Sequence, residues 1–233
     1  MLSVQQVAKM IDHSLLRPEL TLDDVAAGCD LAVRYDVASV CVKPCDVAFA
    51  AARLAGTGVL VGTVAGFPHG SHATRVKVAE TLAALRDGAA EVDMVINIGR
   101  LRAGRDDEVA ADVAAVVEAA GPAVVKVILE TAYLDDDEKR RACGIAERAG
   151  AGFVKTSTGF AGGGATLADV RLMRASVPAH VGVKAAGGVR TLDVLLSMVD
   201  AGATRFGATT TAAMLDDLAE RHGARPRASG SAP

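Results

Sequence analysis

Residues 71–97 read "SHATRVKVAETLAALRDGAAEVDMVIN" and contain one complete helix-to-strand unit. The first part has the spacing of an amphipathic helix. Its apolar positions are Val76, Ala79, Leu82, Ala83 and Leu85. The pair Gly88-Ala89 then supplies the glycine that commonly follows the end of a helix. Because the strand pattern "EVDMVIN" follows directly, the stretch predicts a helix that leads into a β-strand after a very short turn.

The same alternation of helix and strand runs along the whole chain. Gly150-Ala151 and Gly202-Ala203 repeat the glycine stop. Strands are predicted at residues 9–16, 38–42, 58–67, 91–97, 123–130, 152–157, 180–187 and 203–208. Eight strands, each followed by a helix, predict a single-domain (β/α)8 TIM barrel of the α/β class. The alternative, an open doubly wound sheet, usually has fewer strands and a glycine-rich first turn, which the sequence does not show.

Composition narrows the class of protein further. The chain has 233 residues, 51% of them hydrophobic, and a formal net charge of −3. This charge gives no electrostatic indication of nucleic-acid or membrane partners, and no apolar run is long enough to span a bilayer. The N-terminal residues lack a signal-peptide pattern. We therefore expect a cytoplasmic protein with four reduced cysteines, a barrel domain over 1–222 and a disordered tail over 223–233.

In two of the predicted strands the apolar run ends on a lysine. "GFVKTS" carries Lys155 and "HVGVKAAG" carries Lys184. Active sites of such barrels lie at the carboxyl ends of the strands, and neighbouring strands are about 4.8 Å apart. A second ammonium group in a partly desolvated site lowers the pKa of a lysine and favours the nucleophilic amine. The pair therefore predicts Schiff-base chemistry on a carbonyl substrate, although each lysine alone has the alternative of a solvated side chain at a loop start.

Candidate proton carriers lie in two other strands. Asp93 interrupts the apolar strand "EVDMVIN", where an unpaired carboxylate is rarely tolerated. The alternative for Asp93 is a structural ion pair, with Lys126 as the candidate partner. Asp12 in "MIDHSLL" is similar, and its alternative is a helix cap or a turn residue. Glu130, which ends "KVILE", is a candidate supporting residue.

The loops after predicted strands seven and eight suggest a phosphate site. Their candidate ligands are Gly187, Gly188, Arg190, Gly207, Thr209 and Thr210. Backbone N–H groups in glycine-lined loops at helix N-termini favour anions, and these two loops are the usual phosphate position in (β/α)8 barrels. The five histidines are scattered, and only His69 and His72 lie close to each other. The glycine loops thus predict a phosphorylated substrate, and a metal ion at His69 and His72 is a minor alternative.

Several stretches taken together resemble the deoxyribose-phosphate aldolase family of class I aldolases. From about residue 11 to about residue 211 they are "IDHSLL", "SVCV", "GFPHG", "EVDMVINIG", "KVILETAYL", "FVKTSTGF", "GVKAAGGVRT" and "ATRFGA". The resemblance implies reversible cleavage of 2-deoxy-D-ribose 5-phosphate to D-glyceraldehyde 3-phosphate and acetaldehyde, in the breakdown of deoxyribonucleosides. It implies neither metal nor organic cofactor, and it suggests a homodimer.

The resemblance also implies roles for particular residues. Lys155 would form the Schiff base, Lys184 would lower its pKa, and Asp93 would move protons through a bound water. Asp12 and Cys41 would support them. Thr158 and Gly159 of "TSTGF" would join the residues of the two glycine loops in holding the substrate and its phosphate.

The chain departs from the family pattern at three places. Thr209-Thr210 replaces a common Ser-Ser pair, Lys43 stands where a neutral residue is common, and the tail has no tyrosine. Two other functions remain open: a Schiff-base enzyme for another phosphorylated carbonyl compound, and a phosphosugar-binding protein without catalysis. A metal-dependent aldolase is disfavoured because the histidines are not clustered.

Overall fold

The computed structural model describes residues 2–223, which form a closed barrel of eight parallel strands surrounded by helices. The strands are β1 (Ile11–Leu15), β2 (Ser39–Val42), β3 (Leu60–Ala65), β4 (Glu91–Val95), β5 (Val124–Ile128), β6 (Phe153–Lys155), β7 (Gly182–Ala186) and β8 (Arg205–Ala208). The α-helices are α1 (Val4–Ala8), α2 (Leu22–Tyr35), α3 (Val47–Arg53), α4 (Thr74–Arg86), α5 (Ile98–Arg102), α6 (Asp106–Ala120), α7 (Asp136–Arg148), α8 (Leu167–Ser176), α9 (Leu192–Asp200) and α10 (Thr211–Arg221). Short 3-10 helices cover Pro44–Asp46 and Thr131–Tyr133. The predicted (β/α)8 barrel is confirmed.

The barrel closes because β1 pairs with both β2 and β8. All strands are parallel, so their carboxyl ends meet at one rim. Lys155 on β6 is directly paired with Lys184 on β7, and Asp93 on β4 is paired with Lys126 on β5. This register brings the residues singled out in the sequence to the same side of the sheet.

The hydrophobic core lies between the strands and the surrounding helices. Alternate strand residues point outward into it, as Val92, Val127 and Val183 do, and each is fully buried. Burying an aliphatic side chain of this size stabilises the fold by about 1.5–3 kcal/mol. The residues between them, such as Asp93 and Lys126, point into the lumen, so the apolar layer lies outside the barrel and the charged layer inside it.

The three glycine stops have the predicted geometry. Gly88 has φ of 103°, and the next N–H, that of Ala89, donates to the carbonyl of Ala84 at 2.9 Å. Gly150 and Gly202 have φ of 86° and 108° and are followed by the same type of bond. Left-handed backbone of this kind ends a helix and is easiest for glycine. The stops therefore set each turn from helix to strand.

Helix α4 differs from the sequence interpretation. Its apolar positions do not form the buried face: Val76 is 37% exposed and Leu82 is 43% exposed. The buried residues are instead Lys77, Thr81 and Ala84. Lys77 turns inward because its ammonium group binds Asp112 of α6 at 2.5 Å and the carbonyl of Val95 at 2.8 Å.

No helix within residues 2–223 has the length and apolarity needed to cross a membrane. The disordered tail expected at 223–233 lies outside the described residues except for Gly223, and the domain boundary at residue 222 stays a prediction.

Candidate active site

A cavity of about 210 Å³ opens at the carboxyl ends of the strands. Lys155, Lys184 and Asp12 line it, together with Leu16, Cys41 and Phe160. The residues that line it from β8 and from the loops after β6, β7 and β8 include Thr158, Gly159, Gly187, Gly188, Arg190, Gly207 and Thr209. The cavity therefore gathers most of the site residues predicted from sequence, although they come from five different strands or the loops after them.

The two lysines share one carboxylate beneath the cavity. The Nζ atoms of Lys155 and Lys184 each lie 2.7 Å from Oδ2 of Asp93. Lys184 also lies 2.5 Å from Oδ2 of Asp12. Asp93 does not itself line the cavity and is fully buried. The lysines thus reach the cavity while their common counterion lies below them.

A deeper layer of charge supports this arrangement. Lys126 Nζ contacts Glu91 at 2.6 Å, Asp93 Oδ1 at 3.1 Å and Asp12 at 3.3 Å. Arg205 of β8 joins the same group through Asp12 at 2.9 Å and Glu91 at 2.8 Å. Asp93 therefore binds Lys126 as a structural partner and also contacts the two lysines of the cavity. Its role in moving protons stays a prediction.

The lumen contains more positive than negative groups. Four cationic side chains, those of Lys126, Lys155, Lys184 and Arg205, share three carboxylates, those of Asp12, Glu91 and Asp93. Uncompensated charge is costly in a buried site, so loss of one proton is favoured. The cluster becomes electrically balanced when one lysine is neutral.

The pKa shifts identify that lysine as Lys155. Burial lowers its pKa, Asp93 opposes this effect, and the neighbouring Lys184 lowers the pKa further. Burial also acts to lower the pKa of Lys184, but Asp12 and Asp93 outweigh burial and raise that pKa overall. Lys155 is therefore the more readily deprotonated amine of the pair.

The pKa values of the carboxylates are lowered in this site, whereas the pKa of the thiol is raised. Burial acts to raise the pKa of Asp93, but the lysines around it, Lys126 foremost, hold that pKa well below its ordinary value. Asp12 shows the same balance, and its pKa is lowered too. Burial raises the pKa of the Cys41 thiol to about 11. At neutral pH the site thus contains carboxylate anions and a neutral thiol.

Glycines in left-handed conformations line the part of the cavity formed by the loops after β6 and β7. Gly159, Gly187 and Gly188 have φ between 83° and 84°. A side chain at Gly159 or Gly188 would meet nothing within 4 Å, so glycine is required there by the backbone conformation. Gly207 on β8 keeps space beside Lys184, since an added Cβ would lie 3.6 Å from Lys184 Cε. Glycine-lined loops of this kind can offer backbone N–H groups to an anion.

A sequence profile described as DeoC/LacD family aldolase matches residues 6–220. The chain belongs to this aldolase family. It is 52% identical over 211 residues to the deoxyribose-phosphate aldolase of Enterococcus faecalis, covering 90% of this chain and 96% of that protein. It is 54% identical over 211 residues to deoxyribose-phosphate aldolase 2 of Staphylococcus aureus, with 91% and 96% covered.

Solved structures agree with the assignment to this aldolase family. The tetrameric deoxyribose phosphate aldolase from Aeropyrum pernix superposes with a TM-score of 0.87 at 32% identity, covering 93% of this chain and 92% of that chain. A protein titled "QR15, an Aldolase" gives a TM-score of 0.88 at 38% identity, covering 93% and 97%.

Two residues discussed in the sequence analysis lie elsewhere in this aldolase. Thr210 does not line the cavity, and its hydroxyl donates to the backbone carbonyl of Arg190 at 2.8 Å. Lys43 binds the carbonyl of Leu20 at 2.8 Å and contacts Asp46 at 3.3 Å. Lys43 therefore joins the loops after β1 and β2 and does not line the cavity.

Glu130 positions the loop after β6. Its carboxylate accepts hydrogen bonds from the backbone N–H and the hydroxyl of Thr158, and that hydroxyl accepts the N–H of Phe160 at 3.0 Å. Glu130 itself has φ of 57°, an unfavourable left-handed conformation that costs about 1–2 kcal/mol for a residue with a side chain. The expectation of a supporting role for Glu130 fits these contacts.

Sequence reasoning missed Arg205 and Glu91 as members of the site. Arg205 stands in the predicted strand "ATRFGA", where a charged residue at an inward position is the available signal. Within residues 2–223, no group of three or more His, Cys, Asp or Glu side chains is arranged to hold a metal ion.

Proposed function

We propose that this aldolase reversibly cleaves 2-deoxy-D-ribose 5-phosphate to D-glyceraldehyde 3-phosphate and acetaldehyde through a Schiff base on Lys155. One observation carries the proposal: a buried amine with a lowered pKa at the floor of a cavity, beside a second lysine that remains charged. Relatives at 52–54% identity bear the name of this activity. The substrate identity rests on those relatives, and the chemistry rests on the geometry.

Lys155 acts as the nucleophile. Its neutral amine adds to the C1 aldehyde of the open-chain sugar, and loss of water gives a protonated imine. The imine draws the electrons of the C2–C3 bond toward C1 as the C3 hydroxyl loses its proton. The bond breaks, glyceraldehyde 3-phosphate leaves, and an enamine stays on Lys155. Protonation at C2 and hydrolysis then release acetaldehyde and restore the amine.

Asp93 and Lys184 handle the protons of these steps. Asp93 is an anion whose Oδ1 has no hydrogen-bond partner in the described residues, although it lies near the Lys126 ammonium group. It accepts the proton of the C3 hydroxyl through a water molecule and returns it to C2. Lys184 is protonated before each turnover, which keeps the Lys155 amine neutral. It supplies a proton when water leaves the carbinolamine and regains one when the imine is hydrolysed.

The glycine wall holds the phosphate. Gly159, Gly187 and Gly188 expose backbone N–H groups, and Arg190 adds a guanidinium group at the same rim. Thr209 contributes a hydroxyl from the loop after β8. Thr210 acts indirectly, because its hydroxyl holds the backbone of Arg190. Holding the C5 phosphate here places C1 over Lys155 at the cavity floor.

Reductive trapping tests this function. The protein is incubated with deoxyribose 5-phosphate or acetaldehyde, reduced with borohydride and mapped by mass spectrometry. We expect a mass increase on the peptide that carries Lys155, and none in Lys155→Leu. Lys77→Arg is the matched control, because Lys77 is equally buried but belongs to α4 and does not line the cavity. Absence of any adduct on Lys155 would contradict the proposal.

The homodimer stays a prediction from the family resemblance, and the cytoplasmic location stays a prediction from the N-terminal sequence and the cysteines. The relative from Aeropyrum pernix is described as tetrameric, so light scattering of the purified protein is the direct measurement of its oligomeric state.

A further inference from the structure

Arg17 lines the same cavity from the loop after β1. This loop lies next to the loop after β8, because closure of the barrel pairs Asp12 with Gly207 and His13 with Ala208. The phosphate site proposed above, which is the glycine wall with Arg190 and Thr209, includes residues from the loops after β6, β7 and β8. Two guanidinium groups, those of Arg190 and Arg17, therefore flank the loop that carries Thr209.

The Arg17 side chain is available to a ligand. It is 68% exposed, and its nearest carboxylate contact is Glu19, with 3.6 Å between Nη1 and Oε1. Glu19 is 63% exposed. An exposed pair at this distance contributes little, because solvent screens it and two long side chains must be ordered to keep it. A phosphate dianion near Arg17 would compete readily with Glu19.

The backbone that carries Arg17 is held at both ends. Leu16 is buried, and together with Cys41 and Val64 it forms a small apolar cluster. Pro18 has a fixed φ and restricts the backbone of Arg17 before it, and the N–H of Leu20 donates to the carbonyl of Arg17 at 3.2 Å. Lys43 then donates to the carbonyl of Leu20 at 2.8 Å. The departure from the family pattern at Lys43 therefore fixes the loop whose arginine faces the cavity.

We propose that Arg17 is a second phosphate-binding cation, which contributes to the preference of this aldolase for phosphorylated over unphosphorylated sugars. The proposal rests on the proposed function for the identity of the sugar, and it adds a specificity determinant outside the glycine wall. A guanidinium group suits this task because its planar donors can bind two phosphate oxygens at once. Arg190 from the loop after β7 and Arg17 from the loop after β1 then bind the phosphate from the two sides of the loop after β8.

Steady-state kinetics of Arg17→Gln with two substrates tests the assignment. We expect KM for 2-deoxyribose 5-phosphate to rise about 10- to 100-fold, the usual effect of losing a charge-assisted contact. The kcat for this substrate, and kcat/KM for unphosphorylated 2-deoxyribose, should remain at the wild-type level. Arg17→Lys should recover part of the loss, since it keeps the charge without the planar fork.

Arg75→Gln is the matched control. Arg75 is also exposed and lies in the first turn of α4, but it does not line the cavity. It should leave both substrates unaffected. A uniform loss of activity on both substrates in Arg17→Gln would indicate a structural role and overturn the proposal.

Binding of inorganic phosphate separates this proposal from the function itself. The probe is phosphate alone, titrated into the full-length protein and followed by the thermal midpoint or by calorimetry. We expect weaker phosphate binding in Arg17→Gln but not in Arg75→Gln, even if the chain does not cleave deoxyribose phosphate. Unchanged phosphate affinity together with unchanged KM would refute the role of Arg17 and leave the aldolase function intact.

Discussion

Two lysines in this barrel are equally hidden from solvent, yet only one is placed to react. Lys77 under α4 and Lys155 in the lumen are 0% and 3% exposed. Lys77 has a carboxylate, that of Asp112, as its own partner at 2.5 Å, and a backbone carbonyl as well. Lys155 shares Asp93 with two further lysines. Burial is therefore common to both lysines, whereas a shared counterion beside an open cavity distinguishes Lys155, the nucleophile of the proposed function.

The largest effect should follow replacement of the proposed nucleophile. Lys155→Leu removes the amine that forms the imine, so turnover should fall by about 10⁵-fold or to background. The fold should persist, because Asp93 keeps Lys126 and Lys184 as partners. Steady-state assays measure the loss of turnover, and a thermal melt checks that the fold persists. Substantial residual turnover would remove the distinction drawn between Lys155 and Lys77.

Replacement of the shared carboxylate should come next. Asp93→Asn should reduce kcat by about 10² to 10⁴, as expected for loss of a general acid–base group. It also removes a negative charge that raises the Lys155 pKa. The amine-dependent limb of the pH–rate profile should therefore move to lower pH even though the maximal rate falls. A profile that moves to higher pH would contradict the charge argument.

Breaking the ion pair between Lys77 of α4 and Asp112 of α6 should affect the stability of the fold and not the rate of the reaction. Lys77→Met leaves Asp112 buried without its cation, which should cost about 3–5 kcal/mol of unfolding free energy. The folded fraction should retain the kcat of the parent, because Lys77 does not line the cavity. Denaturant unfolding combined with active-site titration measures both quantities. A selective loss of kcat in the folded protein would contradict this expectation and show that the Lys77–Asp112 pair affects the active-site cavity.

Removing the second lysine should shift the pH dependence. In Lys184→Leu three cationic groups face three carboxylates, so charge balance no longer favours loss of a proton from Lys155, although burial still acts to lower its pKa. Because Lys184 lowers the Lys155 pKa, its removal should raise that pKa and reduce the free amine at neutral pH. The rate should fall about 10- to 100-fold near pH 7 and recover partly at higher pH. An unshifted profile in kcat/KM would rule out this role.

The barrel and the lysine pair could be predicted because they depend on local signals. Each strand is a short apolar run followed by a turn, and Lys155 and Lys184 stand out as charges at the ends of such runs. Their parallel register then follows from neighbouring strands of one barrel. The pairing of charged side chains inside the lumen could not be predicted. Arg205 reaches Glu91 across the barrel, although 114 positions separate the two in the chain.

Helix α4 shows where the periodic pattern gave a wrong answer. The positions Val76 and Leu82 point to solvent because Lys77 pairs with Asp112, which lies 35 positions away on α6. Thr210 is a second case, since its hydroxyl direction is set by a bond to Arg190 that no local pattern reveals.

The smallest effect should come from removing both members of the α4–α6 pair together. Lys77→Met with Asp112→Leu leaves no buried charge without a partner, and such replacements are often neutral or stabilising. The Val95 carbonyl and the Thr74 hydroxyl each lose one hydrogen bond, so we expect a net cost of about 1–2 kcal/mol. Stability close to the parent, with unchanged kcat, would show that this pair serves packing alone. In the lumen, by contrast, we expect no second change to compensate for loss of Lys155, because the proposed function requires its amine for the chemistry and not only for charge balance.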